Sequence, residues 1–348
     1  MAAYTTIDNP ELHFQVKLYA GNVTDDTSIT LDGEEDMAPD MIWFNCRAAG
    51  EARVIHDSPR GVHERIFPGT NEVEGTATDA LQSFDSNGWT MGVNGQLNNN
   101  SGRLYVAWCW KANGSGSSDT NGTINSTATS ANTTAGFSIV TYNGNATDEA
   151  TVGHGIGTVP KFVLAKSTGN TEHWTAWHHK MTSIEYYLVL STTGAQVDAD
   201  GAIFHALPTS TLFSLGSDSR NNASGVDSVA YLWSEVQGYS KFGSYEGNGD
   251  ADGTFVYTGF RPAFIMTKSI DSTSDWHIFD DQRLGYNVDN NARTPEEAAE
   301  LTTDMIDILS NGFKCRIATD PNVAETYVYA AFAKAPFVNS NGVPCNAR

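Results

Sequence analysis

Several things that catalysis, secretion or membrane insertion would require are scarce or missing in this sequence. No run reaches the roughly 18 consecutive apolar residues of a membrane-spanning helix. The opening from Met1 to Pro10 has no basic cluster followed by an apolar stretch, so no secretion signal is expected. Only 4 cysteines occur, Cys46, Cys109, Cys315 and Cys345, and none forms a Cys-x-x-Cys pair. That spacing excludes the usual zinc and redox frameworks and predicts reduced thiols, three of them in strand-like apolar runs. Cationic residues are few: 20 Lys and Arg against 41 Asp and Glu give a formal charge of −21, which repels a phosphate backbone. Nucleic acid is therefore not an expected partner, and neither is a membrane. There is no G-x-S-x-G elbow, Walker loop or H-E-x-x-H, and the many carboxylates single out no glycosidase pair. With no constellation specific to a reaction, the sequence is not expected to encode an enzyme. No coiled-coil heptad pattern that would build a fibre shaft is present either.

What is present is a repeat. Three segments open alike, each a strand running into a Gly-Asn turn: residues 13–22 with Tyr19, residues 137–145 with Tyr142, and residues 241–248 with Tyr245. The tyrosines are separated by 142 − 19 = 123 and 245 − 142 = 103 residues. A proline before the second apolar run follows the same spacing, Pro39, Pro160 and Pro262, as do the central alanines of a closing strand, Ala107, Ala230 and Ala331. Landmarks in one order at one spacing indicate a module of roughly a hundred residues written three times. Between them, Asp57 and Arg60 correspond to Asp280 and Arg283, whereas the second copy has His178 and His179 near that place. A feature that one copy lacks is not expected to be the chemistry of the module.

The apolar runs are short and rich in Val, Ile, Tyr, Phe and Trp. Gly, Asn, Asp and Ser interrupt them at roughly 8 to 12 residue intervals, which predicts an all-β chain. The expected architecture is three tandem diverged β-sandwich-like modules: residues 1–112, 136–237 and 238–338. A Gly/Ser/Thr/Asn-rich stretch, 113–135, reads as an extended linker because it cannot bury enough apolar surface. Residues 339–348 read as a loosely held tail. The one helix expected is short and lies in the third module, starting at Thr294-Pro295-Glu296-Glu297, where a Thr cap precedes Pro and Glu.

Each Gly-Asn turn leads into an acidic loop. In the third copy, Asn248, Asp250 and Asp252 stand at positions 1, 3 and 5 of a calcium loop and Gly253 at position 6. Calcium is the one cofactor the pattern suggests, although Gly259 occupies the place of the bidentate Glu. The alternative is a solvated Asx turn. His173, His178 and His179 are close in sequence, but neighbours in a strand point to opposite faces and do not share a metal readily. Gly153-His154-Gly155-Ile156-Gly157 lacks the spacing and the helix of a nucleotide loop and reads as a turn.

Residues 136–150, 239–248 and 253–264 carry a resemblance to a repeat common in structural proteins of marine tailed phages. The likeness covers nearly the whole chain and transfers no catalytic residue. It implies a virion surface protein made in the host cytoplasm, and the absence of a shaft-forming heptad pattern points to the capsid-decoration or head-knob kind. The alternative is a tail-associated fibre or receptor-recognition protein that binds a host surface glycan. A polysaccharide-degrading enzyme is a third reading. The partners implied are other virion proteins, such as the major capsid protein or tail proteins, and the body would be pseudo-threefold within one chain or a homotrimer.

Overall fold

The computed structural model describes residues 4–48, 53–98, 102–283, 287, 291–295 and 300–345. The first module contains β1 (Phe14–Ala20), β2 (Thr27–Thr30), β3 (Met41–Cys46), β4 (Val54–Asp57), β5 (Glu64–Arg65), β6 (Gly75–Thr76), β7 (Leu81–Asp85) and β8 (Gly88–Met91). A single helical turn, α1 (Gly95–Asn98), precedes its closing strand β9 (Leu104–Trp110). The second contains β10 (Ser126–Asn132), β11 (Phe137–Asn143), β12 (Ala150–Gly153), β13 (Phe162–Ser167), β14 (Thr175–His178), β15 (Tyr186–Val189), β16 (Val197–Asp198) and β17 (Leu212–Leu215). It closes with α2 (Ser219–Asn222) and β18 (Asp227–Trp233). The third contains β19 (Ser240–Glu246), β20 (Phe255–Tyr257), β21 (Phe260–Ser269), β22 (His277–Asp280), β23 (Ile306–Leu309), β24 (Gly312–Cys315) and β25 (Thr326–Pro336).

The three segments share one antiparallel plan. The larger sheet runs β1-β9-β3-β4 in the first, β11-β18-β13-β14 in the second and β19-β25-β21-β22 in the third. A smaller sheet pairs β2 with β8, β12 with β17 and β20 with β24. Register makes individual residues equivalent: Met41, Phe162 and Phe264 lie opposite Trp110, Trp233 and Phe332 on the closing strands. The chain is thus all-β, built of sandwich-like modules, as its short branched and aromatic runs imply.

Strand alternation explains why these runs are apolar almost without a break. In β9, Tyr105, Ala107 and Cys109 face the first module's own small sheet, while Val106, Trp108 and Trp110 face the other two modules. β25 repeats the division, with Tyr327, Tyr329 and Ala331 on one side and Val328, Ala330 and Phe332 on the other. Each large sheet is therefore buried on both faces. The three inward faces meet in one continuous core, whose centre is lined by Met41, Trp43, Phe162, Leu164, Phe264 and Met266 among others and leaves a void of only about 10 Å³. The modules are not beads on a string; they share their largest apolar surface.

Two expectations about irregular segments are corrected. Residues 113–135 are not an extended linker, because β10 lies within them and pairs antiparallel with β11 from Ser126↔Tyr142 to Asn132↔Phe137. The stretch cannot make a core, but it needs none: main-chain pairing supplies the bonds, and Ser126 and Ser130 are small enough to be buried beside it. Its outer edge is then covered by residues 113–119, where Gly116, at φ +71, brings its backbone against the Thr129 carbonyl with no room for a Cβ. Residues 339–345 are likewise held, by a turn closed from Asn339 and by Ser340 N, which donates to Asp8 Oδ1 at 2.6 Å. The helix expected from Thr294 falls on residues 296–299, which lie outside the described residues; the short helices described, α1 and α2, sit in the first and second modules.

Candidate functional site

The Gly-Asn turns are held by a lock that recurs in all three modules. The tyrosine five residues after the start of the opening strand in each module donates its hydroxyl to a backbone carbonyl far along the chain. Tyr19 reaches Leu97 O at 3.0 Å, Tyr142 reaches Asn221 O at 2.6 Å and Tyr245 reaches Pro321 O at 2.8 Å. The next residue in each case is a fully buried asparagine, Asn98, Asn222 or Asn322. Its Oδ1 accepts from the backbone N–H of Asn22 (2.8 Å), Asn145 (2.9 Å) or Asn248 (3.2 Å). Its Nδ2 donates to Thr24 O and Gly92 O, to Thr147 O and Gly216 O, or to Asp250 O and Ile317 O. These asparagines escape notice in the sequence because Asn is common in loops, yet their spacings, 222 − 98 = 124 and 322 − 222 = 100, follow those of the tyrosines. Asn222→Ala would strand buried donors and acceptors on two loops, so we expect a loss of about 3 kcal/mol in urea unfolding. Asn98→Ala should cost a similar amount if the lock is one device used repeatedly.

The acidic loops hang from this lock. In the third, Asn248, Asp250 and Asp252 are brought into one loop, but their oxygens close it. Asn248 Oδ1 accepts from Asp250 N (3.0 Å) and from Asn322 Nδ2 (2.8 Å), and Asp250 Oδ1 accepts from Asp252 N (2.9 Å). Asp252 pairs with Lys314, which draws its carboxyl below the usual carboxylate range. Each module gives its acidic loop a different partner: Gln82 for Asp25 in the first, His205 for Asp148 and Glu149 in the second, and Lys314 in the third. Among the described residues no group of three or more His, Cys, Asp or Glu side chains is placed to hold a metal ion.

The residues that differ between copies lie where modules meet. Asp57, His178 and Asp280 occupy one register position, opposite Met41, Phe162 and Phe264. Each reaches the closing strand of the next module. Asp57 Oδ2 accepts from the hydroxyl of Tyr231 at 2.6 Å, and Asp280 Oδ2 accepts from Trp108 Nε1 at 3.1 Å. His178 makes the third contact, with its Nε2 3.1 Å from the carbonyl of Tyr329. First touches second, second touches third, and third touches first. Both aspartates also accept from an arginine three residues on: Arg60 Nε to Asp57 (2.7 Å) and Arg283 Nε to Asp280 (2.6 Å).

A second set of cyclic contacts runs beside it. Asn45, Lys166 and Lys268 are equivalent and fully buried. Lys166 Nζ donates to Asn71 O of the first module, Lys268 Nζ donates to Thr193 O of the second, and Asn45 Oδ1 accepts from Arg293 of the third. Burial lowers the Lys166 ammonium to about 8. Trp174 and Trp276 add indole bonds to Phe67 O and Val189 O of the preceding module. These named groups thus bond to oxygens of neighbouring modules, which ties one module to the next.

A family model matches residues 9–336, from just before Pro10 to the end of β25. The chain belongs to this family, described as a domain of unknown function (DUF7483). The family match runs through all three modules without a break, in keeping with the core they share. Searches of curated proteins and of solved structures returned no match.

The remaining candidates in this family member have structural surroundings. His173 Nδ1 lies 2.7 Å from Ser191 Oγ and His179 Nε2 lies 2.8 Å from Phe242 O, so the three histidines reach three separate partners. His154, in the Gly153–Gly157 turn, accepts from Ile156 N with Nδ1 and faces Thr209 O with Nε2. Cys46, Cys109 and Cys315 are buried thiols, and burial pushes the Cys315 thiol up to about 12. A cleft of about 220 Å³ between the first and second modules is bordered by Arg60, Glu74 and Asp227. Glu74 is paired with Arg60 at 2.6 Å, and Asp227 accepts from Asn143 at 3.1 Å.

Proposed function

We propose that the protein is a structural component of the outer surface of a tailed-phage particle, of the capsid-decoration or head-knob kind, with the major capsid protein as its partner. The observation that carries this reading is the cyclic packing of three modules of one plan about a common core. A body of that kind presents related surfaces in approximately threefold array, which suits a threefold position on a capsid lattice. The polar groups named between modules bond backbone carbonyls and side chains of the neighbouring module, and the repeat resembles those of marine tailed-phage structural proteins. The formal charge of −21 serves the same role, since mutual repulsion keeps an abundant component soluble before assembly. Electron cryo-microscopy of particles from a phage encoding this chain tests the reading. The expected result is one copy of this three-module density at each occupied threefold position on the head; density confined to fibre tips would replace it with a tail role.

A further inference from the structure

The chain has 16 Phe, 13 Tyr and 8 Trp, and among the described residues only two of these aromatic side chains are strongly exposed. They are Phe255 (46% exposed) and Tyr257 (53%), and both belong to β20. Strand alternation puts them on one face, roughly 7 Å apart, while Val256 between them is buried. The other copies do not repeat this. Register makes Ser28 and Thr30 the equivalents in the first module, and Thr151 and Gly153 those in the second. In the second module the chain itself covers the position: Thr123 N donates to Thr151 Oγ1, and Asp119 sits against Gly153.

The neighbourhood of the two rings is polar. Tyr4 donates its hydroxyl to Gly259 O at 2.7 Å and lies beside the Tyr257 hydroxyl, so two phenol hydroxyls meet at this end of the strand. At the other end Phe255 is opposite Lys314, which is paired with Asp252. Opposite Tyr257 stands Gly312, whose lack of a side chain lets the Val256 carbonyl approach where a Cβ would otherwise stand. β20 is the edge strand of its sheet.

We propose that the outer face of β20 is a carbohydrate-binding platform on which Phe255 and Tyr257 stack against the apolar faces of successive sugar rings of a polysaccharide. Size favours this occupant over a protein. The two half-exposed rings offer about 200 Å², against the roughly 800 Å² per partner of a stable protein interface. Chemistry favours it too: a sugar has C–H faces for the rings and hydroxyls for the flanking tyrosine hydroxyls and the Lys314–Asp252 pair, which can donate and accept without burying a charge. The proposal does not depend on a head position, because binding by the isolated chain is read without any particle.

The test uses the full chain on an array of bacterial O-antigen and capsular polysaccharides together with chitin and cellulose oligosaccharides. The expected result is binding to one glycan class, weakened at least about tenfold by Phe255→Ala and by Tyr257→Ala. Tyr257→Phe, which keeps the ring, and Ser28→Ala, on the first module's equivalent face, should bind as the parent does. Both alanine variants remove exposed side chains, and an unchanged thermal midpoint confirms that they fold. Three results overturn the proposal: no binding by the parent to any glycan, binding that survives both alanine variants, or self-association in sedimentation that the same two variants abolish.

Discussion

Arg283→Met should cost about 3 to 5 kcal/mol, because it leaves the fully buried Asp280 carboxylate without its counter-charge and removes one of the two arginines that pair with Glu300. Arg283 is 1% exposed. Its Nε donates to Asp280 Oδ2 at 2.6 Å, its Nη1 to Glu300 Oε1 at 2.9 Å and its Nη2 to Ile278 O at 2.9 Å. Glu300 also accepts from Arg47 of the first module, and Asp280 from Trp108 of the first module. The chain of bonds Arg47, Glu300, Arg283, Asp280, Trp108 therefore closes the cycle between the two modules that are furthest apart in sequence. Unfolding in urea is the measurement, with Asp280→Asn/Arg283→Met as the companion. The double variant removes both members of the Asp280 pair and should be less destabilised than the two single losses summed. Strict additivity would mean that the pair is not coupled and that the cycle closes by apolar packing alone. Arg60→Met, in the first module, removes the equivalent ion pair with Asp57 and a pair with Glu74, and should rank close to Arg283→Met.

The ion pairs also show where a sequence reading reaches and where it stops. Strand positions and their order were legible because Tyr19, Tyr142 and Tyr245 and the prolines after them keep one spacing, and alternation in an aromatic strand needs no tertiary knowledge. The second copy's lack of Asp and Arg was visible too. Its meaning was not, because it depends on which module stands next to which: His178 occupies the Asp position and meets a carbonyl where the aspartates meet a hydroxyl and an indole. β10 was missed for a related reason. Composition measures how much apolar surface a segment can bury, and a strand added to the edge of an existing sheet is held by backbone bonds that composition does not register. The Tyr-Asn lock had a readable spacing but no distinctive residue type. Phe255 and Tyr257 read like any other strand aromatics, since only the fold shows that they face solvent.

Acid should unfold the protein through its buried histidines. Burial holds His56 and His178 at about 3, far below the ordinary imidazole value. Hydrogen bonding fits the neutral form in both. His178 Nδ1 accepts from Lys180 N at 3.1 Å, so Nε2 carries the proton toward Tyr329 O; His56 Nδ1 faces Val62 O at 2.9 Å and carries its own. A second proton on His178 would turn an acceptor against an N–H. In the unfolded chain both rings protonate near pH 6.5. Between that pH and about 3 the unfolded state holds more protons than the folded one, so stability is full above 6.5 and falls as the pH drops through this window. The loss for the pair is on the order of several kcal/mol. Asp281, raised to about 6 by burial, works in the opposite direction, since it takes up its proton more readily when folded, but its shift is smaller. Urea midpoints at pH 7.5, 5.5 and 4 should therefore decrease steeply, and the His56→Gln/His178→Gln variant should start lower and lose most of the slope. An unchanged slope in that variant would transfer the effect to the other lowered histidines, His154 and His277 among them. His178 is the more informative of the two, because it stands in the ring of contacts between modules, and its protonation would loosen the joint between the second and the third.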